Sequence, residues 1–100
     1  PFVEVAQKIG AADLIMANTR IVHVAVWATA IPMRRFVTEM NENVWGPSLN
    51  DIDPRIRWVI TEEGDQLWHG RGKWLEKNWV EVASAKGPVT GTVHLYRRPE

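Results

Sequence analysis

The residues best suited to chemistry lie in one short stretch, from Trp68 to Trp79, where aromatic rings, cations and glycines occur together. Its candidate binding residues are Trp68, His69, Arg71, Lys73, Trp74, Lys77 and Trp79. Tryptophan and arginine are strongly enriched at the energetically important points of protein interfaces. The same mixture suits single-stranded nucleic acid, whose bases stack on tryptophan and whose phosphates meet lysine and arginine. The stretch therefore predicts a surface that binds a partner.

A second interpretation of the same stretch needs no partner. A pair of strands would bury the tryptophans on one face and expose the charged residues on the other, with Gly70 and Gly72 marking a bulge. Twelve Lys and Arg residues balance twelve Asp and Glu residues over the whole chain. Because affinity for phosphates needs uncompensated cations, this balance favours a protein partner or self-association over single-stranded nucleic acid.

The sequence contains no motif for a nucleotide, a metal or another cofactor. Gly70-Arg71-Gly72 lacks the longer glycine pattern and the Lys-Ser/Thr pair of a phosphate loop. His23, His69 and His94 are widely spaced and form no short ligand pair, so we expect no metal site. The absence of Cys excludes disulfides, cysteine-based zinc sites and a catalytic thiol. We expect no cofactor.

Pro1 and His23 are the two candidates for a catalytic base. An N-terminal proline is a secondary amine that acts as a general base in an apolar pocket, and His23 would need a nearby carboxylate for the same task. The start of the chain, Pro1-Phe2-Val3-Glu4-Val5, resembles the first strand of the tautomerase superfamily. The resemblance implies a small enzyme with Pro1 as its base. The chain departs from that fold where Ile21 to Ala28 follows the first element.

The N-terminal half predicts two helices and a strand. Apolar residues at three- and four-residue spacing predict a helix over residues 2–17. Residues 20–28 are rich in Val and Ile on both alternating faces, which indicates a central strand. A second apolar stripe from Met33 to Val44 predicts a helix that Pro32 starts and Gly46-Pro47 ends.

The C-terminal half predicts a β-meander. Residues 55–62 alternate between apolar and polar, and further strands are expected at residues 66–69, 73–83 and 89–97, with a turn at Glu63-Gly64-Asp65. The predicted fold is α+β. Two N-terminal helices pack on a mostly antiparallel sheet of four to five strands that ends in this meander.

The length of 100 residues suits one domain over residues 1–100. No apolar run approaches the roughly 20 residues of a membrane span, and the first residues show no signal peptide; we expect a soluble cytoplasmic protein. Six Trp against two Phe and one Tyr exceed what such a core needs. The leading hypothesis is therefore a non-catalytic binding module. The small enzyme is the alternative, and a homo-oligomer whose Trp surface is the subunit interface is a third option.

Overall fold

The computed structural model describes residues 13–22, 31–86 and 91–99. They form an α+β fold around a five-stranded mixed sheet. The strands are β1 (Leu14–Met16), β2 (Phe36–Val37), β3 (Ile56–Glu62), β4 (Val80–Lys86) and β5 (Thr92–Arg97). The helices are α1 (Glu42–Ser48) and α2 (Gln66–Asn78), with a 3-10 turn at Met33–Arg35 and a further helical segment at residues 19–22.

One half of the sheet is parallel and the other half is antiparallel. Its strand order is β2-β1-β3-β5-β4. β1 is parallel to both of its neighbours, β2 and β3, whereas β5 is antiparallel to both β3 and β4. β3 and β4 are therefore parallel to each other with β5 between them. Parallel strands need a crossover connection, and α2 supplies it.

α2 begins at a well-formed cap and packs on the sheet along one side. Asp65 precedes the helix and accepts a hydrogen bond from the backbone N–H of Trp68 at 2.8 Å, which satisfies one of the free donors of the first turn. Leu67 and Leu75 are fully buried against strands β3 and β5. The helix thus presents one side to the core and leaves the opposite side in solvent.

The core consists of two apolar clusters, one on each face of the sheet. Trp58 and Ile60 of β3 pack with Ile21 in the first cluster. Val59, which lies between them in the sequence, packs with Leu67 of α2 in the second. Neighbouring residues of a strand point to opposite faces, so the helical residues 19–22 cover one face and α2 covers the other.

The N-terminal elements differ from the predicted ones. The predicted helix over residues 2–17 is wrong at residues 14–16, which form β1; residues 2–12 lie outside the described residues. The predicted strand over residues 20–28 is wrong at residues 20–22, which are helical, and its remainder also lies outside the described residues. The carbonyl of Asn18 accepts the N–H groups of both Ile21 and Val22, so the chain turns into a helix directly after β1.

The predicted helix from Met33 to Val44 is wrong over most of its length. Phe36 and Val37 form β2, because they pair with Ile15 and Met16 in a parallel ladder. α1 begins only at Glu42 and includes the Gly46-Pro47 pair that was expected to end the helix. A two-residue strand has no periodicity of its own, so the sequence pattern could not reveal it.

The C-terminal half is confirmed in part, and the strand predicted over residues 73–83 is confirmed at residues 80–83. β3 lies within residues 55–62, the turn at Glu63-Gly64-Asp65 is present, and β5 lies within residues 89–97. Residues 66–78 form α2 in place of a strand, and β4 starts at Val80. The predicted meander is wrong because β5 lies between β3 and β4, and the sheet is mixed where it was expected to be mostly antiparallel.

Among the described residues, no helix combines the length and the apolar character that crossing a membrane requires.

Candidate binding face on the second helix

The seven predicted binding residues all lie on α2 or at its C-terminal cap, Trp79. They therefore occupy a helix, and the predicted β surface over residues 67–79 is wrong. Gly70 and Gly72 suggested a strand bulge, but both are helical residues. The signal that identifies the helix is Asp65 directly after a turn, since Asp is a preferred N-terminal cap.

The side of α2 that faces the sheet, here called the inner face, takes two of the three tryptophans. Trp79 is 6% exposed and belongs to the second core cluster, where the guanidinium of Arg98 lies 4.7 Å from its ring centroid. Trp68 is stacked on the ring of His94, with 5.0 Å between the centroids. Its ring also lies against Gly72, where an added Cβ would come within 2.9 Å of Trp68 Cδ2.

The opposite side, here called the outer face, consists of His69, Lys73, Trp74 and Lys77. All four are exposed. His69, Lys73 and Lys77 follow one another at four-residue intervals and so share one side of the helix. Trp74 lies beside this row with 38% of its surface exposed. The guanidinium of Arg71, one turn earlier, lies 4.6 Å from the centroid of the Trp74 ring, within the range of a cation–π attraction.

The two lysines of the outer face and the neighbouring Arg71 are not neutralised by ion pairs within the described residues. Neither Lys73, Lys77 nor Arg71 forms an ion pair with a carboxylate in that part of the chain. The carboxylate of Glu76 lies on the same helix and is exposed. A surface cavity of about 540 Å³ runs beside the helix and is lined by Trp68, Lys73, Trp74 and Glu76 among others. The face therefore offers positive charge, one aromatic ring and a shallow concave border.

A cluster that the sequence analysis did not find lies behind Trp68. His94 of β5 bonds through Nε2 to Glu63 Oε2 at 2.7 Å and through Nδ1 to Glu81 Oε1. On its far side the ring stacks on Tyr96, with 6.0 Å between centroids. Ionised carboxylates only accept hydrogen bonds, so this arrangement favours the doubly protonated ring, in which both nitrogens donate. The cluster joins three parts of the fold.

This environment shifts the pKa values of His94 and Tyr96. Burial lowers the pKa of His94, but its hydrogen bonds with Glu63 and Glu81 and their negative charges raise it more, so the pKa lies above its ordinary value. Burial and the nearby charge of Glu81 raise the pKa of Tyr96 to about 12. The imidazolium form of His94 is thus the form that the cluster stabilises.

The two candidate catalytic bases, Pro1 and His23, lie outside the described residues. In the described part of the chain, no group of three His, Asp or Glu side chains is arranged to hold a metal ion. Comparison of the chain with protein families, with curated proteins and with solved structures finds no significant match.

Proposed function

We propose that this chain is a non-catalytic binding module that docks an acidic segment of a protein partner on the outer face of α2. The observation that carries the proposal is the pair Lys73 and Lys77, exposed and without ion pairs in the described residues, beside the half-exposed ring of Trp74. Exposed cations without partners attract a complementary charge. An aromatic ring beside them supplies the desolvated anchor that binding surfaces use.

A protein segment fits this face better than a nucleic acid does. Single-stranded nucleic acid needs several aromatic rings as stacking platforms, but Trp79 is buried and Trp68 is stacked on His94. Of the three rings, only that of Trp74 belongs to an exposed residue. The carboxylates of Glu63 and Glu81, behind Trp68, would repel phosphates that extend past the helix.

The test is fluorescence anisotropy with a short labelled peptide of Asp and Glu residues around one central Leu, and with its Asn and Gln counterpart. We expect the acidic peptide to bind and the neutral peptide not to bind. The double variant Lys73→Glu/Lys77→Glu should weaken binding by at least about tenfold, because each reversal replaces attraction with repulsion. Trp74→Ala should weaken binding by roughly threefold to tenfold.

The matched control is Arg57→Glu/Lys86→Glu, which makes the same change in net charge at exposed positions away from α2. Equal weakening by this control would mean that only net charge matters and would contradict the proposal. Tighter binding of a labelled oligothymidine than of the acidic peptide would replace the protein partner with a nucleic acid. Sedimentation in which the wild-type chain self-associates and Trp74→Ala does not would assign the face to a second copy of the chain.

A further inference from the structure

A second cavity lies at the N-terminal end of α2, and none of the outer-face residues lines it. A cavity of about 300 Å³ opens where the helical residues 19–22 approach the start of α2, and Asn18, Arg20, Glu39, Glu62 and Asp65 line it. Its volume is at the lower end of the range for small-molecule sites. Three carboxyl groups and one guanidinium line it, so its charge is predominantly negative.

Two of the three carboxyl groups already have structural tasks. Glu39 accepts hydrogen bonds from the side-chain amide of Asn18 and from the backbone N–H of Thr19, each at 2.7 Å. Burial raises the pKa of Glu39, but the hydrogen bonds from Thr19 and Asn18 lower it more, and the net shift is downward. Asp65 caps α2 through Trp68 N–H at 2.8 Å. Neither group is free to serve a ligand.

Glu62 is the third carboxyl group, and it has no such task. Trp58 and Ile60 of β3 pack beside Ile21, and the alternation of the strand places Glu62 on this same face. Glu62 is one of the residues that line the cavity. Only 2% of Glu62 is exposed. Its Oε2 is buried and has no hydrogen-bond partner in the described residues. A buried acceptor of this kind is destabilising until a donor reaches it.

We propose that this cavity binds a small organic cation, a primary ammonium or a guanidinium, whose N–H groups donate to Glu62. A hydrogen bond between a charged N–H donor and a carboxylate is roughly twice as strong as one between neutral groups. Arg20 is exposed and lies at the solvent margin of the cavity, so its positive charge opposes the ligand only weakly. The residues that line this cavity are different from those of the outer face of α2.

The test uses three probes of the same length: butylamine, butan-1-ol and butanoate. Calorimetric titration of the wild-type chain should show saturable binding of butylamine and none of the other two. Glu62→Gln should weaken butylamine binding by at least about tenfold, since it removes the charge that the donor meets. Arg20→Gln should tighten it by about twofold, because a like charge at the margin is removed. Glu42→Gln, a matched change on exposed α1, should leave it unchanged.

Thermal unfolding gives a second measurement of the role of Glu62, which does not depend on the calorimetric titration. Without a probe, Glu62→Gln should melt at a higher temperature than the wild type, because a buried unpartnered group has lost its charge, and butylamine should reduce this difference. Absence of saturable butylamine binding, equal binding of butan-1-ol, or undiminished binding to Glu62→Gln would overturn the proposal. So would Mg²⁺ or Ca²⁺ binding that Glu62→Gln abolishes while butylamine has no effect.

Discussion

Trp74 and Trp79 lie five residues apart in the sequence, yet 38% of Trp74 and only 6% of Trp79 is exposed. Each has an arginine guanidinium over its ring, Arg71 at 4.6 Å and Arg98 at 4.7 Å. A tryptophan with an arginine over its ring therefore lies at the surface in one case and in the core in the other. The difference comes from the helix, whose period turns one ring toward the sheet and the other away from it.

The largest effect should separate these two rings. Trp79→Ala should lower the free energy of unfolding by about 3–5 kcal/mol, because it empties a site in the second core cluster. Trp74→Ala should lower it by about 1 kcal/mol or less, because only one exposed cation–π contact is lost. Urea unfolding followed by far-UV circular dichroism measures both. Equal losses would show that the inner and outer faces are not distinct.

The two glycines of α2 should respond in opposite directions. An added Cβ at Gly72 would lie 2.9 Å from Trp68 Cδ2, whereas at Gly70 its nearest contact is Leu49 Cδ2 at 3.9 Å. Gly72→Ala should therefore destabilise the fold by about 1–3 kcal/mol through overpacking. Gly70→Ala should stabilise it by about 0.5–1 kcal/mol, because alanine is the better helix former. Melting temperatures that fall for both variants would contradict the open space at Gly70.

The smallest effect concerns the His94 cluster behind the inner face. The folded state raises the pKa of His94 above its ordinary value of 6.5, so the unfolded chain loses this proton first as the pH rises. The stabilisation is fully present below about pH 6.5 and is lost as the pH rises through the folded pKa. Its size should be at most about 1 kcal/mol, because Glu63 and Glu81 are half-exposed.

Urea unfolding at several values between about pH 5 and 9 measures this dependence. The double variant Glu63→Gln/Glu81→Gln should flatten the curve over that range, and Glu42→Gln, far from the cluster, should leave it as in the wild type. A wild-type stability that rises from neutral to alkaline pH would show that His94 is not held as the imidazolium.

How much of this molecule the sequence predicts depends on the range of the interaction that forms each part. β3 was predictable because apolar residues recur at every second position, although Ile56 packs in the second cluster and Trp58 and Ile60 in the first. The turn that follows contains Gly64, whose φ is +97°. β1 and β2 were not, because each is only two or three residues long and exists through pairing with a distant partner. The apolar residues around Phe36 have helical spacing, but Phe36 and Val37 form a strand because they pair with β1.

The candidate site divides in the same way. The stretch from Trp68 to Trp79 was recognisable by composition alone, but which rings are exposed depends on whether a period of two or of 3.6 applies. The His94 cluster and the Glu62 cavity were not recognisable, because their members come together only when β4 and β5 pair and when Asn18 approaches α2. The contact between Asn18 Oδ1 and the N–H of Leu67, at 3.2 Å, spans 49 positions of the sequence.

The position of β5 in the sheet has a consequence for how the chain acquires its structure. β5 comes last of the five strands in the sequence, yet it pairs on one edge with β3 and on the other with β4. During synthesis, β4 emerges before the strand to which it bonds. The antiparallel half of the sheet is therefore absent until residues 92–97 have been added. We expect folding to occur in one late, cooperative step, slowed by these distant pairings, and not strand by strand as the chain is made.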